Sequence, residues 1–378
     1  MPFTAYRNQF PFTNSKIYLN HAGVSPLSTD VREKMDWFIN NRSFGEIEFF
    51  EEMVELRDQT RSLLAKIINV EENGIAFTAN TSTGFNWLAQ GLKWKKGDQI
   101  ILTDLEFPSN VYPFLNLQKQ GVEVVFVKSK NGCIEVEDIE KAITPKTRMI
   151  SISFVEFSTG YRNDLLAIGA LSKHHDLIFS VDAIQGLGAI PLDVKACHID
   201  FLSCGGHKWL MGPMGIGFMY FEQNLFEKIS PAFVGWDSVT NSLDYLDYNF
   251  ELLPDARRFE YATQNHLGIC GLSASLDILH RVGIATIEQH LLILGKQMVD
   301  RLPDYGMKFL GHEDSFYWSG IFSFSHPDAE ELSMFLKKHN VICSIRDGAL
   351  RFSPHFYNNR DDINAIIDLI GKFHRSHL

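Results

Sequence analysis

The sequence has little positive charge to offer an anionic polymer: 46 acidic residues stand against 35 basic ones, a formal net charge of −11. That balance excludes a surface built to neutralise a phosphate backbone, so no nucleic-acid partner is expected. Long hydrophobic runs are absent too, with no stretch of about 18 apolar residues. The opening MPFTAYRNQFPF lacks the basic leader and continuous apolar segment of a secretory signal, so a soluble cytoplasmic protein without a membrane partner is expected. Cysteine is scarce. Five residues (Cys133, Cys197, Cys204, Cys270, Cys343) are scattered with no C-x-x-C pair, which excludes a disulfide framework and a thiolate zinc site. His174 and His175 adjoin, whereas two ligands on one helix face need a spacing of three or four, so they read as solvent-facing and no metal is expected. GLGAIP at 186–191 has Pro191 where a third glycine would complete a dinucleotide fingerprint, which speaks against a nicotinamide enzyme. There is no internal repeat, low-complexity tract or Pro/Ser-rich linker.

What is present is a large apolar fraction, 45% of 378 residues, enough for two domains with substantial cores. From residue 74 to 221, GIAFT, QIILT, VEVVFV, RMISISF, LIFSVD, DFLSC and GIGFMYF alternate with helix-like stretches. Each run is apolar nearly throughout, as a strand buried on both faces should be. The fold expected is α/β, with a mostly parallel, doubly wound seven-stranded sheet in a large domain over 16–279. A smaller α+β domain is expected over 280–378, with residues 1–15 packing near it. The helix-like LGICGLSASLDILHRVG would be shared between the two.

One lysine stands out. In DFLSCGGHKWLMGPMGIGFMY, His207 and Lys208 lie between apolar stretches and among glycines. An ammonium buried without a partner costs several kcal/mol, so a lysine there tends to lose its proton and becomes a nucleophile able to form an imine. A snorkelling loop lysine is the alternative. Asp182 closes LIFSVD at the strand end where open α/β sheets keep their ligands. It could face a pyridine nitrogen and hold it protonated, or simply cap a helix. Gln185 follows three residues on and could reach a ring hydroxyl. After GIAFT, Asn80, Thr81, Ser82, Thr83 and Gly84 lead into FNWLAQGL, a helix start that suits a phosphate but equally an ordinary N-cap.

IYLNHAGVSPLS, FTANTSTGFNWLA, LEFPSNVYPF, SVDAIQGLGAIPLDV, the Lys208 segment, RRFEYATQNHLGICGL and LRFSPHFYN resemble, in order along nearly the whole chain, the class V aminotransferase family. That family contains cysteine desulfurases, kynureninases, alanine–glyoxylate aminotransferases and isopenicillin N epimerases, and NHAGVSPLS, EFPSNVYP and RFSPHFYN are closest to the epimerase-like branch. The resemblance implies a fold-type I enzyme that uses pyridoxal 5'-phosphate (PLP). It places Lys208 as the imine lysine, Asp182 on the pyridine nitrogen, Gln185 on the ring oxygen, and Thr81, Ser82 and His207 on the phosphate. Phe107 falls where desulfurases stack a histidine on the cofactor. Thr263 resembles the threonine that reaches the phosphate of the other subunit, which implies a homodimer with shared active sites. Arg346 matches the arginine that grips the substrate carboxylate, with Arg351 as its alternate. His21 is expected beside the substrate as a catalytic residue, or as a turn stabiliser.

The departures narrow the chemistry. Desulfurases carry a cysteine on a loop shortly after the carboxylate arginine, whereas Arg346 is followed by Asp347, Gly348, Ala349, Leu350 and Arg351. Cys343 does not replace it, because on a strand it would face away from Arg346. Phe157 stands for an asparagine near the ring and Gly205 for a phosphate-binding serine. The reading is a PLP enzyme acting at the α-carbon of a small amino acid, with aminotransferase or isopenicillin N epimerase-like chemistry. A β-eliminating lyase without a loop cysteine is the alternative, and a non-catalytic PLP-binding module the rival from another class.

Overall fold

The computed structural model describes residues 3–376. After a two-residue strand β1 (Ile17–Tyr18), the seven apolar runs become β2 (Ile75–Thr78), β3 (Gln99–Thr103), β4 (Glu123–Val127), β5 (Thr147–Ser153), β6 (Ile178–Asp182), β7 (Phe201–Gly205) and β8 (Gly217–Phe221). They form one sheet in the order β2-β8-β7-β6-β5-β3-β4. Only β8 runs against its neighbours β2 and β7. Helices cover both faces, which is why most of these strands carry no polar alternation. The exception is β4 at the sheet edge, where Glu123 and Phe126 are exposed. Having moved from β3 outward to β4, the chain returns to the other side of β3 and continues through β5, β6 and β7. The order therefore reverses between β3 and β5, and the crevice at the carboxyl ends of those strands is where such sheets bind ligands.

The second layer of structure begins beyond the helices His266–Val282 and Ile284–Arg301. There β9 (Lys308–Phe309), β10 (Phe322–Ser325), β12 (Ser344–Arg346) and β13 (Ala349–Phe352) form an antiparallel sheet in the order β12-β13-β10-β9. The short β11 (Val341–Ile342) instead pairs with β1, so the chain past residue 16 still packs on the small unit. Helix Arg360–Ser376 turns Ile363, Ile366, Ile367 and Ile370 inward, the spacing of a single apolar stripe. Phe10 stacks on Tyr357 with ring centroids 4.2 Å apart. Among the described residues no single helix is long and apolar enough to cross a membrane.

The turn from Glu156 to Arg162 fastens the two units together. Ser323 Oγ donates to the Ser158 carbonyl (2.6 Å), Ser319 Oγ to the Gly160 carbonyl (2.8 Å), and the Arg162 N–H to the Tyr317 carbonyl (2.9 Å). Gly160 sits at φ +79°, and a Cβ there would strike the Ile321 carbonyl. Only glycine meets both requirements.

The outer strand β2 is held by a buried ion pair. Arg61 Nη1 and Nη2 donate to Glu260 Oε1 and Oε2 (2.8 and 3.1 Å), while the Phe77 N–H donates to Glu260 Oε1 (2.8 Å). Both side chains are almost wholly buried. Because removing one partner leaves the other charge uncompensated, Arg61→Ala should lower unfolding free energy by about 3–5 kcal/mol. Urea denaturation tests this, and a loss below about 1 kcal/mol would show that water reaches Glu260.

Candidate active site

A cavity of about 320 Å³ opens at the strand ends where the sheet order reverses. Residues from both units line it. Lys208 comes from the loop joining β7 to β8, and that loop is pinned along its backbone. Gly206 N–H donates to the Ile216 carbonyl (2.8 Å) and Gly212 N–H to the Gly206 carbonyl (2.8 Å). From the N-terminal turn, Ser25 gives its N–H to the His207 carbonyl (2.8 Å) and its hydroxyl to the Lys208 carbonyl (2.5 Å). The Lys208 side chain is only 9% exposed, and its Nζ lies 5.5 Å from the centroid of the Phe107 ring. Burial depresses its pKa to about 8, against a smaller opposing pull from Asp182 and with a further push from Arg351 and Arg346.

Asp182 ends β6, next to the cavity-lining Ile184 and Gln185. Its Oδ1 accepts the Ile184 N–H (3.0 Å), while Oδ2 is buried with no partner. Burial raises its pKa to about 7; Ile184 opposes the shift, Glu106 adds to it and Lys208 opposes it. Two buried acids near it were not anticipated. Glu106 is saturated by Ser153 N–H (2.8 Å), Ser153 Oγ (2.7 Å), Asn110 Nδ2 (2.8 Å) and Thr103 Oγ1 (3.2 Å). Glu156 is fully buried, and burial pushes its pKa well up. Both follow apolar strands in LEF and VEF, the same signal that singled out Asp182.

Asn80 caps helix Thr81–Gly91 by accepting the Thr83 N–H (2.9 Å), leaving the first N–H groups and the Ser82 hydroxyl at the cavity. Thr81 Oγ1 accepts the Gly205 N–H (3.0 Å), so its own proton remains available. Ser82 Oγ meets Ser109 Oγ at 2.8 Å. Helix and β7 are drawn together at Gly84, where a Cβ would strike the Ser203 hydroxyl. His207 also lines the cavity, with its pKa lowered by burial and then by Lys208. Gln185 is oriented at both ends, its nitrogen donating to the Ala22 carbonyl (3.1 Å) and its oxygen accepting from Trp209 Nε1 (3.0 Å).

Opposite them stand Phe107 and Phe157, edge to face at 5.2 Å, and the two arginines. Arg346, expected as the carboxylate grip, is exposed at the β12–β13 hairpin and donates to the Ile345 carbonyl (2.7 Å). Arg351, expected as the alternate, is 1% exposed. Its Nε and Nη1 donate to Ser344 Oγ (3.2 Å) and the Phe157 carbonyl (2.6 Å), and its Nη2 is buried without a partner.

Two expected site residues lie elsewhere. His21 is fully buried outside the cavity lining, its Nδ1 on the Ser353 carbonyl (2.8 Å) and its Nε2 on the Tyr357 hydroxyl (2.7 Å). A carbonyl only accepts, so Nδ1 carries the proton and Nε2 receives Tyr357. Both nitrogens are spent on structure, which corrects the catalytic role expected of His21. Thr263 is exposed beside a different cavity, with Ala79 and Gly215, and is not brought to Lys208 within one chain. No cysteine lines the Lys208 cavity among the described residues. Cys343 packs on the small core, and its pKa is pushed up by burial to about 11.

The residues fit the cofactor that the resemblance implies. Asp182 Oδ2 lacks the N–H that a protonated pyridine would supply, Lys208 offers an amine with a depressed pKa, and the capped helix offers phosphate donors. The same burial sets a pH dependence in the cofactor-free protein. Lys208 titrates near 8 when folded against a reference value of 10.5, so between those values the unfolded chain binds more protons and stability rises with pH. Lys208→Met removes this penalty. The variant should melt at a higher temperature than wild type at pH 7, with the gap closing toward pH 10.5; a gap independent of pH would contradict a depressed lysine.

The comparisons with known proteins agree with this geometry. The family model for aminotransferase class-V matches residues 17–366. A probable cysteine desulfurase of Methanothermobacter thermautotrophicus is 27% identical over 95% of this chain and 95% of its own. The apo cysteine desulfurase of Thermococcus onnurineus superposes with a TM-score of 0.89 at 26% identity, covering 98% of this chain and 97% of that one. The cystine C-S lyase C-DES, solved with its product cysteine persulfide, superposes with a TM-score of 0.89 at 25% identity, covering 96% of this chain and 99% of that one. A lysine mutant of C-DES carries glycine covalently linked to the PLP cofactor. With a model match running through both units and the Lys208 and Asp182 constellation at the sheet's reversal point, the chain belongs to the aminotransferase class-V family of PLP-dependent enzymes.

Proposed function

We propose that this protein is a PLP-dependent lyase that releases a β-substituent, sulfur above all, from a small amino acid without using a protein thiol. The observation that carries the reading is a cavity holding a buried amine and an unpartnered guanidinium nitrogen but no cysteine among its described residues. Its likeness to C-DES, a cystine C-S lyase, supports the same reading. Inversion at Cα would call on a second proton carrier, and His21 is sealed off from that role by Ser353 and Tyr357.

Bound PLP supplies an electron sink for a bond breaking at Cα. Lys208 Nζ would hold the cofactor and, when free, would take the Cα proton; a lysine whose pKa is near the working pH suits both tasks. Asp182 Oδ2 would accept the pyridinium N–H, and Gln185 would face the ring oxygen. Thr81, Ser82 and His207 would hold the phosphate, and Phe107 would cover the ring face. Arg351, rather than Arg346, takes the substrate carboxylate with its free nitrogen, because its other donors are already fixed. The exposed Thr263 serves the cofactor phosphate of a second copy in a homodimer.

Incubation with L-cysteine or L-cystine should yield pyruvate and ammonium with release of the sulfur-bearing group. A keto acid that retains the β-substituent would replace this reading with transamination, an inverted amino acid with epimerisation, and the absence of Cα hydrogen exchange in heavy water with a mere binding module. Arg351→Gln should raise KM about 10- to 100-fold, the worth of one charge-assisted contact, while Arg346→Gln should do so far less. Equal effects would count against Arg351 as the carboxylate site.

A further inference from the structure

Glu156 has no part in the scheme above, yet it is the most sequestered acid near the site. Its Oε1 accepts from Asn163 Nδ2 (2.8 Å), and its Oε2 is buried with no partner. Asn163 mirrors this. Its Nδ2 spends the second proton on the Ser153 carbonyl (2.8 Å), and its Oδ1 is likewise buried with no partner. Two buried acceptors left empty on paired side chains are each unfavourable, because neither recovers the hydrogen bonds it made to water. A single proton can remove both deficits, because a protonated Oε2 becomes a donor and Asn163 Oδ1 is an unfilled acceptor on the side chain already paired with Oε1. The charged groups acting on Glu156 are Glu106, Asp182 and Asp104, all acidic, and each favours the neutral form.

The backbone of Glu156 shows what the pairing secures. Its N–H donates to the Tyr161 carbonyl (2.8 Å) and its carbonyl accepts the Gly160 N–H (2.9 Å), so this residue opens and closes the turn that fastens the two units. The next residue, Phe157, gives its carbonyl to Arg351 Nη1 (2.6 Å) and its ring to Phe107.

We propose that Glu156 is a neutral carboxylic acid joined to Asn163 by two hydrogen bonds, and that this pair is a positioning device that aims Arg351 through the Phe157 carbonyl. The proposal rests on the reading of Arg351 as the carboxylate site. It separates Glu156 from Glu106, whose two oxygens already receive four donors and need no proton.

The test uses the holoenzyme. Glu156→Gln preserves the two-bond ring, since its amide N–H replaces the acid O–H, whereas Glu156→Ala removes it. Affinity for L-alanine, which has no β-leaving group, is read from the change in cofactor absorbance. Glu156→Gln should bind within about two-fold of wild type and Glu156→Ala about ten-fold more weakly, ten-fold being about 1.4 kcal/mol. An infrared difference between wild type and Glu156→Gln at neutral pH should show the carbonyl stretch of a buried carboxylic acid. That readout needs no substrate, and it stands if Glu156→Ala does not fold. A carboxylate band in place of the acid band, or a Glu156→Gln variant as impaired as Arg351→Gln, would overturn the proposal. If Arg351→Gln binds L-alanine normally while the acid band is present, the reading of Arg351 has failed and the protonation of Glu156 has not.

Discussion

An amine and a carboxylate are buried together at the carboxyl ends of neighbouring strands, and the rest of the site is arranged around that pairing. Neither group would keep its charge in such surroundings alone. Lys208 is driven toward its neutral form by burial while Asp182 pulls it back, and Asp182 is driven toward its acid form while Lys208 restrains it. The strand register makes the pairing possible, because Asp182 on β6 lies opposite Ser203 on β7, and the Lys208 loop follows β7 directly. A lysine with a pKa near 8 can act both as nucleophile and as proton carrier, which a solvated lysine near 10.5 does poorly.

The small unit contributes what the sheet cannot. Arg351 sits in the middle of β13, flanked by β10 and β12, so its guanidinium reaches the cavity from a rigid strand rather than from a loop. The Glu156–Arg162 turn meets it there, offering one carbonyl to Arg351 and two to serines near and on β10. Relative placement of Lys208 and Arg351 is therefore set in part by hydrogen bonds across this turn, and a shift of about 1 Å between groups that act together would be felt in catalysis.

Several features could be read directly from the chain. Seven apolar runs became seven strands because burial on both faces leaves no room for polar alternation, and only β4, exposed at the edge, departs from that rule. Lys208 and Asp182 stood out because a charged residue in an apolar frame needs a reason. The same argument applies to Glu106 and Glu156, each an acid between apolar residues just past a strand. For His21 the sequence left a catalytic and a turn-stabilising role open, because NHAG says where the backbone turns but not where the ring goes; Tyr357, distant in sequence, occupies its second nitrogen.

What the sequence determined by itself is the class of fold, the cofactor family and which charged residues stand in apolar frames, because these follow from local pattern and from the cost of burying charge. What only the tertiary structure decided is which of two arginines is buried with a nitrogen unpaired, which acids are sealed from solvent and which histidine is closed off. Those outcomes depend on partners brought together from opposite ends of the chain, and no local spacing encodes which lone pairs will be left unfilled.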